Sequence, residues 1–439
     1  MLSKIKSHRE QTADRRNPLI SLKILALLAL LAILVFQSAY LSSAFSARDN
    51  KAFGAYDFYY YHFPFQVFSS GKNPYNPSDL DTFLDEVSFA DDYKRVFLYP
   101  PWLLVLLGPL LSLGYPLSAK LWVLLNVAFL FLSSLAVWKC SARSRGTALP
   151  LLAATLLFLP SYEALRWGQL GLFLSLGISI CYWGLVERKD LLVSLALPII
   201  ALKPHLFFLL LPLLLWFIIR EGRSLIVLFS SALLALMIVV LECKLPGITL
   251  SWLQSYLSPG DAAAGGHALA HKNAVFADAI RGAWQALTGH LPSWPTVAVP
   301  ALALIGLFLY LCSKDAKERG IEELFTVVLC LSLFCAPYGW FYDHSSLLLV
   351  QIIPLARYFA LDSSERPGIK IPLLFFASYL LVFALQYFAF DDQGDYFFFP
   401  ILMLTLYHIA MKTLAKYPRC YLNEEREDRN HPLGLSAAE

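Results

Sequence analysis

The residues of this chain best equipped for chemistry are one aspartate and a few cations, each set among aromatic side chains. Asp57 stands in Tyr56-Asp57-Phe58-Tyr59-Tyr60-Tyr61-His62-Phe63, a carboxylate among seven aromatic and imidazole neighbours. Surroundings that strip water from a carboxylate raise its basicity and fit it to take a proton from an attacking hydroxyl. Tyr60 and His62 lie close enough in sequence to touch what Asp57 acts on. In Glu163-Ala164-Leu165-Arg166-Trp167-Gly168-Gln169-Leu170-Gly171, Arg166 and Gln169 are three residues apart. They share a face if a helix begins there, and both donate hydrogen bonds to an anion or a sugar. Lys203 and His205 flank Pro204 between two apolar runs. Ionisable groups at such a place are costly and point to function, here the holding of a phosphate. The stretch Pro337-Tyr338-Gly339-Trp340-Phe341-Tyr342-Asp343-His344-Ser345-Ser346 supplies Trp340 and Tyr342 to stack on a sugar ring. In the same stretch, His344 is placed to protonate or hydrogen-bond a leaving phosphate. Each stretch also has a plainer reading, as an interfacial aromatic belt or a snorkelling cation. These four, with the loop 242–296, together outline a cavity with a general base, phosphate-binding cations and rings for a sugar.

Metal chemistry is not expected. The loop 242–296 contains His267, His271, Lys272, Asn273, Asp278, Arg281 and glycines 260, 265 and 266, a composition that fits a segment closing over substrate. His267 and His271 are four apart, but no acidic residue stands at ligand spacing with them. The seven cysteines form no CxxC pair and lie mostly inside apolar stretches, as small apolar side chains do. No cofactor is called for.

Membrane-spanning helices must position these groups. Of the 439 residues, 58% are hydrophobic and 15% charged, where soluble domains average about 25% charged. The net charge of +3 over such a length gives no general basic field, which excludes nucleic acid as an expected partner. Between Lys23 and Arg48 lie 24 uncharged residues, enough to cross a hydrocarbon core of about 30 Å as a helix. A basic terminus before an apolar run also resembles a secretory signal, but the many later runs favour an uncleaved anchor. Further apolar runs fall near 98–113, 119–138, 148–160, 169–186, 191–202, 204–219, 224–241, 297–312, 324–335, 345–359, 371–389 and 397–411. They lack barrel-like alternation, so the expected fold is all-α: a polytopic helical bundle of about 12 transmembrane helices.

Charge orients the bundle. With the amino terminus, 139–147, 187–190, 220–223, 313–323, 357–370 and the tail from Lys412 in the cytoplasm, that side holds 24 of the 35 Lys and Arg. Parity then requires 98–138 to cross once. Prolines 100, 101, 109 and 116 mark 98–113 as a re-entrant or interfacial helix, leaving 119–138 as the crossing; thirteen spans is the alternative. The organisation is a basic cytoplasmic tail over 1–23, one membrane domain over 24–411 with outer loops 46–97 and 242–296, and a cytoplasmic tail over 412–439. All five candidate stretches fall on the outer, extracytoplasmic side of a cell (inner or plasma) membrane.

At these residues the sequence resembles glycosyltransferase family 87, of the GT-C superfamily. The matching pieces are Asp57-Phe58-Tyr59-Tyr60-Tyr61, Asn73-Pro74-Tyr75, Tyr99-Pro100-Pro101, Trp122 through Asn126, Arg166-Trp167-Gly168-Gln169, Leu202-Lys203-Pro204, and Trp340 with His344. The resemblance implies a GT-C-like fold whose first outer loop carries the active site. It implies inverting transfer of a hexose, mannose in studied relatives, from a polyprenyl-phosphate sugar to a hydroxyl of a lipid or glycan outside the cytoplasm. The essential aspartate of that family falls on Asp57, Lys203 and His344 become candidates for the donor phosphate, and Arg166 and Gln169 line the site. Two pieces depart from the pattern. Asn273-Ala274-Val275 stands where relatives often carry Asn-Gln-Ser, and Asp343-His344 where they often carry paired histidines.

The rival classes are a transporter or flippase of lipid-linked saccharides and a ligase joining a glycan to lipid. A transporter places functional groups near the midplane and on both faces, whereas here they gather on one.

Overall fold

The computed structural model describes residues 57–87, 97–141, 149–257, 274–313, 320–361, 366–388 and 396–417. The expected first span (24–47), the tail over 1–23, residues 418–439 and His267, His271, Lys272 and Asn273 lie outside the described residues.

Among the described residues every regular element is a helix. Helix α1 (Tyr59–Ser69) follows Asp57 directly, its first turn closed by the Tyr60 amide on the Asp57 carbonyl at 3.0 Å. Helix α2 (Pro77–Glu86) opens with Pro at its first position and the Asn76 side chain accepting from the Ser78 amide at 3.1 Å, the chemistry a helix start favours. The proline-marked run 98–113 forms α3 (Trp102–Leu106) and α4 (Gly108–Leu111), both too short to cross a bilayer at 1.5 Å per residue.

Next come α5 (Tyr115–Ser141), α6 (Leu149–Leu156), α7 (Leu159–Trp167), α8 (Gly171–Val186), α9 (Asp190–Ile200), α10 (Leu210–Arg220) and α11 (Ser224–Lys244). They are followed by α12 (Ile248–Leu257), α13 (Phe276–Thr288), α14 (Pro295–Leu311), α15 (Ile321–Phe334), a 3₁₀ segment (Phe341–Leu347), α16 (Leu348–Ala360), α17 (Lys370–Phe388) and α18 (Phe399–Leu414).

Two of these, α5 with 27 residues and α11 with 21, are long and apolar enough to cross a membrane, with mean hydropathies of 2.1 and 2.8. Twelve comparable spans are not present among the described residues. The apolar runs 191–202 and 204–219 instead give α9 and α10, of 11 residues each. An 11-residue helix rises about 16 Å, roughly half of a hydrocarbon core. An apolar run reports burial in lipid or protein, whereas helix length is set by where the backbone turns, here at 201–209 around Pro204.

The core is built where α8 packs against α5 and α9, and where α7 packs against the 3₁₀ segment. Trp122, Tyr182 and Phe325 are fully enclosed there. Outward, α11 leaves Leu225, Leu228, Phe229, Leu236 and Val239 exposed, and α14 leaves Val297, Leu302, Ile305, Phe308 and Leu309 exposed. Apolar faces of that extent are what lipid covers.

Candidate active site

The site forms where the end of α7 meets the start of α1. Helix α7 stops because Gly168 adopts a left-handed conformation, φ +66°, which a residue without Cβ tolerates and which ends helices. Arg166 and Gln169 therefore do not share a helical face, as they would in a helix starting there. Arg166 turns back to Glu163 at 3.4 Å and lies over the Trp167 ring at 5.3 Å. Gln169 turns forward, and its amide nitrogen donates to Asp57 Oδ2. The Trp167 carbonyl accepts the Asp57 backbone N–H at 2.7 Å, and the Trp122 indole holds the Gly168 carbonyl at 2.7 Å. Three consecutive residues thus grip Asp57 or brace the turn that does.

Tyrosines line this grip. The Tyr61 hydroxyl donates to Gln169 Oε1 at 2.9 Å and lies 3.3 Å from the Tyr99 hydroxyl. Tyr99 is held from behind, its carbonyl accepting from Tyr75 Oη at 2.7 Å. The Asn73-Pro74-Tyr75 turn owes its shape to Asn73 Oδ1, which accepts the Tyr75 N–H at 3.0 Å.

The second half of the site comes from the turn between α9 and α10 and from the entry to the 3₁₀ segment. Lys203, 5% exposed, donates to Asp343 Oδ1 at 2.7 Å. Its ammonium lies 5.8 Å from the Tyr99 ring centre and 5.4 Å from that of Tyr342. Burial opposes the lysine charge, but Asp343, with a further contribution from Asp57, outweighs burial and holds its pKa above the ordinary lysine value. Asp343 also closes its own turn, Oδ2 accepting the Trp340 N–H at 3.0 Å. The two halves approach closely because Gly171 opens α8: a Cβ there would meet Ser345 Oγ at 2.6 Å and the Tyr342 carbonyl at 2.9 Å.

The structure thus brings Asp57, Gln169 and Lys203 into one tyrosine-walled region, with Trp340 stacked on Tyr342 at 6.2 Å beside it. Tyr60 is half-buried next to Asp57, its ring 4.2 Å from that of Tyr59. The histidines stand elsewhere. His62 is buried behind Asp57 with Nδ1 3.1 Å from Ser118 Oγ, and burial lowers its pKa to about 4. His344 packs between Phe341 and Phe399, and burial lowers its pKa to about 3. Both rings are neutral at physiological pH, with no charge to offer a phosphate. His205 stacks on Tyr338 at 4.0 Å with Nδ1 3.2 Å from its hydroxyl. Between α12 and α14, Arg281 is committed to Asp278 at 2.9 Å and to the Pro292 carbonyl at 3.0 Å. Among the described residues no three His, Cys, Asp or Glu side chains converge as metal ligands would.

Sequence reasoning passed over Tyr61, Tyr99 and Asp343 as site residues. Tyr61 was findable, because it follows Asp57 by four residues and a helix starting there puts both on one face. Asp343 had no local signal, since its partner is 140 residues away.

Fold and site together define an all-helical membrane protein with a carboxylate and a lysine gathered in one aromatic-walled site. The chain belongs to glycosyltransferase family 87, whose family model matches residues 97–337. No curated protein and no solved structure matches it. The matched range holds Tyr99, Arg166, Gln169, Lys203 and His205; Asp57, Trp340 and Asp343 lie outside it and are tied to it by the contacts above. The family supports a glycosyltransferase activity, with a donor and an acceptor as substrates.

Proposed function

We propose that this protein transfers a hexose, mannose in the first instance, from a polyprenyl-phosphate-linked donor to a hydroxyl of a lipid or glycan acceptor. The reaction takes place on the extracytoplasmic side of a cell membrane. The carrying observation is that Asp57 and Lys203 share one site: Gln169, which donates to Asp57, lies 3.5 Å from the Tyr99 hydroxyl, and the Lys203 ammonium lies 5.8 Å from the Tyr99 ring centre. A base and a phosphate-binding cation are the two groups that such a transfer needs.

In the reaction, the acceptor hydroxyl oxygen bonds to the anomeric carbon from the face opposite the phosphate, and its proton passes to the Asp57 carboxylate. The bond from the anomeric carbon to the phosphate oxygen breaks, its electron pair leaves with polyprenyl phosphate, and the sugar inverts. The leaving phosphate gains a negative charge, which Lys203 stabilises. Trp340, stacked on Tyr342, presents its ring to the sugar, and the exposed apolar helices offer the polyprenyl chain a surface continuous with lipid. No step uses a metal.

The test is transfer of radiolabelled sugar from polyprenyl-phosphate mannose into lipid extract, in EDTA, by purified wild type and Asp57→Asn. Product from wild type and none from Asp57→Asn, with donor binding retained, is the expected result. Equal transfer by both removes Asp57 as the base. Transfer restored only by manganese or magnesium removes the metal-independent mechanism. Absence of transfer from every polyprenyl-phosphate sugar returns the protein to the transport reading.

A further inference from the structure

Gln169 is 4% exposed, and both ends of its amide are engaged. The nitrogen donates to Asp57 Oδ2, and the oxygen accepts from Tyr61 Oη at 2.9 Å and lies 3.5 Å from Tyr99 Oη. An amide flipped by 180° would press its carbonyl oxygen against the carboxylate and its NH₂ group against the hydroxyl that donates to it. The acceptor-only carboxylate therefore fixes which way the amide points, and the tyrosine hydroxyl holds its oxygen in place. The backbone is fixed too: the Gln169 N–H donates to the Ala164 carbonyl at 3.0 Å, and Gly168 is pinned by Trp122. So well-anchored an amide has little freedom to turn toward a substrate.

We infer that Gln169 is a positioning residue for Asp57, with Tyr61 and Tyr99 aligning its amide, and not a ligand of the sugar or phosphate. This rests on the reading of Asp57 as the base. The consequence is that the carboxylate meets the acceptor hydroxyl in one orientation, with a neutral donor on Oδ2. A neutral donor steadies the carboxylate without discharging it, as a directly bonded cation would do more strongly. Among the described residues, the charged and titratable groups that act on Asp57 include Lys203 from the turn between α9 and α10, Tyr61 from α1, Tyr115 from α5, Tyr342 from the 3₁₀ segment, and Tyr99 before α3.

The test is the pH profile of kcat/KM for Gln169→Leu, Gln169→Glu and Tyr61→Phe beside wild type. Removing the donor from an ionised carboxylate favours its protonated form, so the acidic limb in Gln169→Leu moves up by roughly one pH unit. Its plateau kcat falls by about tenfold, as loss of one hydrogen bond to a charged group predicts. Donor and acceptor KM stay within twofold of wild type. Gln169→Glu sets a second carboxylate against the first and moves the limb further. Tyr61→Phe keeps the packing, releases only the amide orientation, and moves the limb by less in the same direction.

A raised donor or acceptor KM with an unmoved limb would overturn the inference in favour of direct substrate contact. A rate lowered equally at every pH, in Tyr61→Phe as well, would overturn it in favour of a purely structural role. If Asp57→Asn transfers sugar as wild type does, the base assignment itself has failed. If Asp57→Asn is inactive and the limbs do not move, only the positioning role has failed.

Discussion

The two ends of helix α8 each carry a carboxylate surrounded by tyrosines, and the carboxylates are held differently. Near Gly171, Asp57 takes a neutral amide from Gln169, which is itself oriented by Tyr61. Eleven residues further along α8, the Tyr182 hydroxyl donates to Glu322 at 2.5 Å, Tyr407 donates at 3.2 Å, and the Arg357 guanidinium pairs with it at 2.5 Å. Glu322 thereby joins α8, α15, α16 and α18, and its charge is consumed by a cation. Such a group staples helices. Asp57 instead shares its site with a lysine that is already paired to Asp343. Similar residue types therefore make a clamp at one end, where a guanidinium pairs with the carboxylate, and a candidate base at the other, where an amide donates to it.

Exchanging losses between the two ends breaks this comparison most sharply. Asp57→Asn should lower transfer by about 10³-fold with little change in thermal midpoint, since removal of a general base costs that order of rate. Arg357→Leu should leave the activity of the folded fraction intact but cost about 3 kcal/mol of stability, because it strands the Glu322 carboxylate. Thermal unfolding followed beside turnover separates them, and an Asp57 variant that loses as much stability as Arg357→Leu would erase the distinction.

Within the site, Lys203→Met should cost about 3 kcal/mol by stranding Asp343 and should raise the donor KM. Adding Asp343→Leu should restore stability but not the KM; recovery of both would make the pair a staple like Glu322. Gly171→Ala is expected to cost about 2 kcal/mol, because its Cβ meets a backbone carbonyl at 2.9 Å, and to lower kcat by parting the two halves of the site.

The smallest effect is one of pH. His62 has a folded pKa of about 4, below the ordinary 6.5, so the unfolded chain binds the extra proton between those values. Stability present above pH 6.5 is lost as pH falls, by about 1 kcal/mol between pH 7 and 5.5. His62→Phe should flatten that slope in melts without moving the kcat profile; a changed profile would bring His62 into the chemistry.

The helical class, the aromatic setting of Asp57 and the candidacy of Lys203 are legible in the sequence because each depends on neighbours within one or two turns. Hydropathy reads the environment residue by residue, and in the runs 191–202 and 204–219 it overstated helix length, since it does not register where a backbone turns. Lys203 was legible as a cation out of place, and Asp57 as a carboxylate short of water. Their partners were not. Gln169 reaches Asp57 across 112 residues and Asp343 reaches Lys203 across 140, and no local periodicity encodes a pairing at that separation. His62 and His344 show the same limit from the other side. As letters they read as substrate contacts, and only the packing around them removes the water that a charged imidazole needs. The sequence by itself determined which groups were available for chemistry and that helices would carry them. The tertiary structure decided which of those groups face one another, because burial and donor geometry arise only when distant segments meet.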